Sequence, residues 1–149
     1  MSKILTLFLL IFFTLTSCKK EEETPINPNI NWKVGPTVYS GTVVKDSIAG
    51  SLYALATNSS FIVNYYDTLI SGNYNIVYLP DTLFDLGVTV VTTVNGLTNY
   101  YTSSNKNNSV TALVSTDTAN RTVVHIPKIW AYNTFNSNDS VMISGTVTK

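Results

Sequence analysis

Short runs of β-branched and aromatic residues recur from Thr37 to Val147, separated by clusters of Asn, Asp, Ser, Thr and Gly. Such segments favour a pleated, half-buried surface, and the polar clusters between them supply turns. No stretch after residue 31 carries helical spacing, so the chain is confined to an all-β architecture. The runs predict eight or nine strands: Thr37 to Val44, Ser51 to Thr57, Phe61 to Tyr66, Tyr74 to Leu79, Gly87 to Val94, Leu97 to Thr102, Ser109 to Ser115, Thr122 to Trp130 and Ser140 to Val147. The expected fold is an antiparallel β-sandwich or flattened barrel.

Local chemistry sharpens this. Asn95-Gly96 lies between two alternating runs and predicts a type I′ hairpin, whose two central residues need positive φ. Val88, Val90 and Val94 point to one face with Thr92 among them, as do Val141, Ile143 and Val147 with Gly145 between, so these are predicted core positions. Gly145 marks a bulge or a close backbone approach, and Pro127, having no N–H to give, belongs at an edge or a bulge.

The N-terminus has a different composition. Met1 to Ser17 places Lys3 before a greasy run from Ile4 to Phe13 and a short polar exit, the layout of a cleaved export signal. The run is shorter than the roughly 20 residues of a membrane-spanning helix. Leu15-Thr16-Ser17-Cys18 resembles the bacterial lipobox, which implies a diacylglyceryl group on Cys18 and a membrane anchored through lipid. Cys18 is the only cysteine of the 149 residues, so no disulfide is expected. Residues 18–31 read as a tether: Lys19-Lys20-Glu21-Glu22-Glu23, then a Pro- and Asn-rich stretch that disfavours helix. Residues 32–149 are long enough for one domain with its own core.

The acidic run after Cys18 resembles the signal by which Bacteroidetes send lipoproteins to the outer face of the outer membrane, which implies cell-surface display rather than the periplasmic face. With Gly72-Asn73-Tyr74-Asn75-Ile76, Ser109-Val110-Thr111 and Ile143-Ser144-Gly145-Thr146-Val147, the order of pieces resembles Bacteroidetes lipoproteins that carry a single β-sandwich without an established activity.

Several chemistries lack their residues. The six cations after residue 31 are scattered, leaving no footprint for nucleic acid. His125 is the only histidine, and no glutamate follows Glu23. Nucleophilic catalysis needs a base beside its nucleophile, and the aspartates lie in expected turns, so no enzyme, metal or cofactor is anticipated. Asp81 and Asp85 could share a loop with a cation, but no third ligand is visible. Five of the six aspartates beyond the tether precede a hydroxyl residue and then an aliphatic one. This resembles the Bacteroidetes O-glycosylation sequon and implies Ser47, Thr68, Thr82, Thr118 and Ser140 as acceptors, although turn chemistry also supplies Asp-Ser and Asp-Thr.

Aromatics are the remaining candidates for recognition. Trp32, Tyr65, Tyr66, Tyr100, Tyr101, Trp130 and Tyr132 could stack against sugar rings, yet Tyr-Tyr pairs in strands send one ring to each face and core packing claims about half of them. Trp130 and Tyr132, two apart, share a face and form the candidate ligand platform. The Asn-rich loops Ser103 to Asn108 and Asn133 to Asn138 would flank it. The expected function is non-enzymatic binding of a glycan or protein; the alternative is a structural subunit of an envelope complex joined through an unpaired edge strand.

Overall fold

The computed structural model describes residues 30–46, 50–104 and 109–149. Within them the protein is all-β, with eleven strands: β1 (Asn31–Val34), β2 (Thr37–Ser40), β3 (Thr42–Asp46), β4 (Ser51–Ala56), β5 (Ser59–Tyr65), β6 (Gly72–Val77), β7 (Asp85–Val94), β8 (Leu97–Thr102), β9 (Thr111–Thr116), β10 (Thr122–Asn133) and β11 (Ser140–Thr148). The eight or nine expected strands become eleven for two local reasons. Asn31–Val34 pairs with β11 and β2, although four residues beside a tether gave little pattern to read. The expected strand Thr37 to Val44 breaks at Gly41.

Gly41 turns the chain from one edge of the sheet to the other. The strands follow the order β2-β1-β11-β10-β9-β6-β7-β5-β4-β3, so the two edge strands are consecutive in sequence with one residue between them. At that corner a Cβ on Gly41 would lie 2.0 Å from the Leu55 carbonyl oxygen and 3.1 Å from the Trp32 ring. Only a residue without a side chain passes there.

A second closure lies inside the sheet. One edge of β7 pairs first with β6, in parallel, and then with β8. One edge of β10 likewise pairs first with β9 and then with β8. With β6 paired to β9, the strands β6, β7, β8, β10 and β9 form a hydrogen-bonded ring, a small closed barrel to which the other strands are added. At the point where β7 exchanges β6 for β8, Ser103 is fully buried. Its hydroxyl donates to the Val77 carbonyl at 2.7 Å and accepts from the Val88 N–H at 2.8 Å, joining two ladders that would otherwise leave both groups unpaired.

The core is organised around Trp32. Its indole is fully buried, lies 5.7 Å from the Tyr39 ring and 6.2 Å from Phe61, and donates through Nε1 to Ser59 Oγ at 2.9 Å. Gly145 allows this approach: a Cβ there would meet Phe61 and Trp32 at 3.0 Å. The predicted hairpin is present, with φ of 50° at Asn95 and 78° at Gly96 and Val94 opposite Leu97. Pro127 falls in the register shift between Ile126 and Ile129. Val88, Val90, Thr92, Ile143 and Val147 are buried as expected. Val94 is not: it is 55% exposed, because β5 stops pairing at Thr92 and nothing covers the strand beyond it.

Register also fixes which loops share an end. Asn31 stands opposite Thr146, and Thr122 and Lys149 exchange backbone hydrogen bonds of 2.8 and 3.0 Å. Ile30, where the described chain begins, and Lys149 therefore lie at one end, together with the turn 117–121 and the loop 66–71. The turns at Gly35-Pro36, Thr57-Asn58 and Asn95-Gly96 and the loop 134–139 lie at the other. The ten residues of β7 separate the two ends by about 30 Å.

Candidate functional site

Strand alternation places Trp130 and Tyr132 on the outer face of β10, since Ile129, Ala131 and Asn133 between and beside them are buried. Trp130 is 48% exposed, and Tyr132 is half-buried. Across the ladder Trp130 faces Met142, while Tyr132 faces Ser140 on one side and Thr102 on the other. Two residues along β8 from Thr102, Tyr100 emerges on the same outer face at 41% exposure. It meets Phe135, the most exposed large apolar side chain at 81%. The two rings are 6.0 Å apart and nearly perpendicular, at 84°.

A broad outer surface thus joins the platform pair to two further rings, at the end opposite the tether. Tyr100 was among the candidate aromatics. Phe135 and Met142 were not singled out, although a lone Phe within the polar loop Asn133 to Asn138 was the signal available.

The loop carrying Phe135 is held in one shape. Asn133 N–H donates to the Asp139 carbonyl at 2.9 Å, Phe135 N–H to Asn133 Oδ1 at 2.9 Å, and Thr134 N–H to the Tyr100 carbonyl at 2.9 Å. Asp139 Oδ2 accepts from Asn133 Nδ2 at 3.0 Å and from the Tyr101 hydroxyl at 3.1 Å. Burial, then the hydrogen bond and negative charge of Asp139, push the Tyr101 hydroxyl pKa above its ordinary value of 10.0. These bonds leave the loop little conformational freedom to lose.

The other aromatic candidates separate as strand geometry requires. Tyr65 is buried and Tyr66 exposed; Tyr101 packs on the core and Tyr100 faces out. Trp32 belongs wholly to the core. Next to the Tyr100 strand, Leu55, Ser60, Val91 and Thr93 line a shallow depression of about 200 Å³, smaller than the roughly 300–1,000 Å³ of enclosed small-molecule sites.

His125 is exposed on β10, with Nδ1 3.1 Å from Thr146 Oγ1. Among the described residues no three His, Cys, Asp or Glu side chains gather as a metal site would require. The Asp81–Asp85 loop has an internal role instead. Asp85 is buried, and its carboxylate accepts from Thr82 Oγ1 at 2.7 Å, Thr82 N–H at 3.2 Å and Asn75 Nδ2 at 3.3 Å. Burial pushes its pKa up, but the hydrogen bonds from Thr82 and Asn75 outweigh it and hold Asp85 below its ordinary value of 3.8.

Cys18, the expected lipid site, and Ser47, a candidate acceptor, lie outside the described residues, as do positions 105–108 of the Ser103 to Asn108 loop. Thr68, Thr82, Thr118 and Ser140 are exposed. The Thr82 hydroxyl is already the shortest donor to Asp85. Asp117 serves its turn: Oδ1 accepts from the N–H groups of Ala119 and Arg121, and Oδ2 pairs with the Arg121 guanidinium at 2.7 Å. That hydrogen bond, first among its causes, lowers the Asp117 pKa.

No helix among the described residues is long and apolar enough to cross a membrane. No protein-family model, curated protein or solved structure matches the chain.

Proposed function

We propose that this chain is a lipid-anchored, surface-displayed lipoprotein of the outer membrane that acts as a non-enzymatic binding module for a glycan. The observation that carries the reading is the aromatic surface itself: Trp130, Tyr132, Tyr100 and Phe135 gathered on one outer face, two of them on a pinned loop and a β8 strand end. Aromatic faces bury the apolar side of a pyranose ring, and neighbouring hydroxyls and amides such as Thr102 and Ser140 give direction to its hydroxyl groups. An open, shallow surface suits the middle of an extended chain of sugars better than a small enclosed ligand. A flattened, sandwich-like sheet is part of this reading, since it supplies a broad outer face.

The structural-subunit alternative would use a long uncovered edge strand. Here the two edge strands are four and five residues long and meet at Gly41, so little ladder is offered to another chain. A glycan array probed with the wild-type chain and with Trp130→Ala tests the function. Selective binding by the wild type and loss of at least about tenfold in affinity in the variant, corresponding to about 1.4 kcal/mol, is expected. Glycan binding that survives Trp130→Ala unchanged would refute the assignment to this surface.

A further inference from the structure

The end at which the tether enters is itself apolar, and we propose that this end rests on the lipid surface, turning the Trp130–Phe135 face away from the membrane. The proposal rests on the reading of Cys18 as the lipid anchor. Ile30, at the start of the described chain, is buried, and β1 begins at Asn31 opposite Thr146. Twelve steps of chain separate Ile30 from Cys18, so Ile30 lies no more than about 43 Å from the acylated residue. The tether end is therefore kept near the bilayer at high effective concentration, where even a weak preference for lipid decides its orientation.

The surface presented there suits lipid. Tyr66 is 64% exposed and Ile70 is exposed in the same loop, while Phe84, exposed as well, lies against Gly72 where that loop enters β6, with the exposed Leu83 preceding it in sequence. Ile70 and Phe84 are held in place through β6. The buried Tyr74 hydroxyl donates to the Ile70 carbonyl at 2.9 Å and accepts from the Ile70 N–H at 3.0 Å. The Phe84 ring lies 5.4 Å from that of Tyr74, and the Phe84 carbonyl accepts from Asn75 N–H at 2.8 Å. No lysine or arginine occurs between Lys45 and Lys106, and Arg121 in the neighbouring turn is paired with Asp117 at 2.7 Å, so the contact made by Tyr66, Ile70 and Phe84 is apolar, with Asp67 and Asp81 remaining in the hydrated headgroup layer. Tyrosine at its rim fits the boundary between acyl chains and water. Because attraction to anionic lipid plays no part, seating should not depend on salt.

The test uses the full chain, lipidated at Cys18, in vesicles of phosphatidylethanolamine and phosphatidylcholine containing spin-labelled lipid. With Cys18 acylated, a cysteine introduced by Tyr66→Cys or Phe135→Cys is the only free thiol for a fluorophore, and both positions are exposed enough to leave the fold intact. Seating predicts loss of most of the fluorescence at position 66 and none at 135, unchanged in high salt, and recovery at 66 when Ile70→Asp and Leu83→Asp are added. Equal quenching at the two positions, or none at either, overturns it. An intact mass without acyl chains on Cys18 removes the anchor reading itself, a separate failure. Glycan mass found on Thr68 or Thr118 of the native protein also overturns seating, because a bulky hydrated group at that end would hold it off the bilayer.

Discussion

One small residue sets where the sheet exchanges partners. Ser103 satisfies a carbonyl and an N–H where β7 changes partners. Ser103→Ala leaves both without a partner in a fully buried place, and should lower the unfolding free energy by about 1–3 kcal/mol in urea titrations. Asp85 adds a pH dependence whose sign follows from its lowered folded pKa. Its contribution is complete above its unfolded value near pH 4 and is lost as pH falls through the folded value. Thr82→Val removes the shortest donor; urea melts between pH 2 and 7 should show about 1–2 kcal/mol less stability at neutral pH and a shallower loss in acid. Neither role was legible beforehand. Ser103 was read only as the start of a polar loop, and its buried role depends on a ladder exchange between strands 26 residues apart. Spacing alone pairs Asp85 with Asp81 in one loop, whereas Asn75, one of its donors, is brought to it only by the parallel β6–β7 pairing.

Elements were more readable where local chemistry alone decides them. Asn95-Gly96 requires its turn whatever surrounds it, and Pro127 must leave the ladder wherever it sits. Gly96→Val, at φ 78° with no neighbour within 4 Å, should destabilise by about 1–2 kcal/mol through backbone strain alone. Thermal melts of this variant would check that. Gly41 was hidden for the opposite reason. The apolar pattern runs through it from Thr37 to Val44, and only the passage against Leu55 demands a glycine. Gly41→Ala should therefore cost more than Gly96→Val and yield little folded protein. Strand alternation sorted Tyr65 from Tyr66 and Tyr100 from Tyr101, and it put Trp130 and Tyr132 on one face. It gave no warning that Val94 lies beyond its covering strand, or that the 134–139 loop folds back to set Phe135 against Tyr100.

At the scale of the whole molecule, the Tyr66–Phe84 surface lies at the end where the described chain begins, and the Trp130–Phe135 surface about a strand length away. That separation suits a module that is anchored at one end and engages its ligand at the other. The tryptophans provide a direct probe, because the chain has two: Trp32 sits in the core and is shielded, whereas Trp130 is half exposed on the proposed binding face. Acrylamide quenching of the full chain, titrated with a glycan selected on the array, reports on Trp130 alone. The proposed function predicts that saturating glycan protects the quenchable fraction and that Trp130→Phe abolishes the response while leaving the Trp32 emission in place. Binding of the glycan with no change in Trp130 accessibility would contradict it.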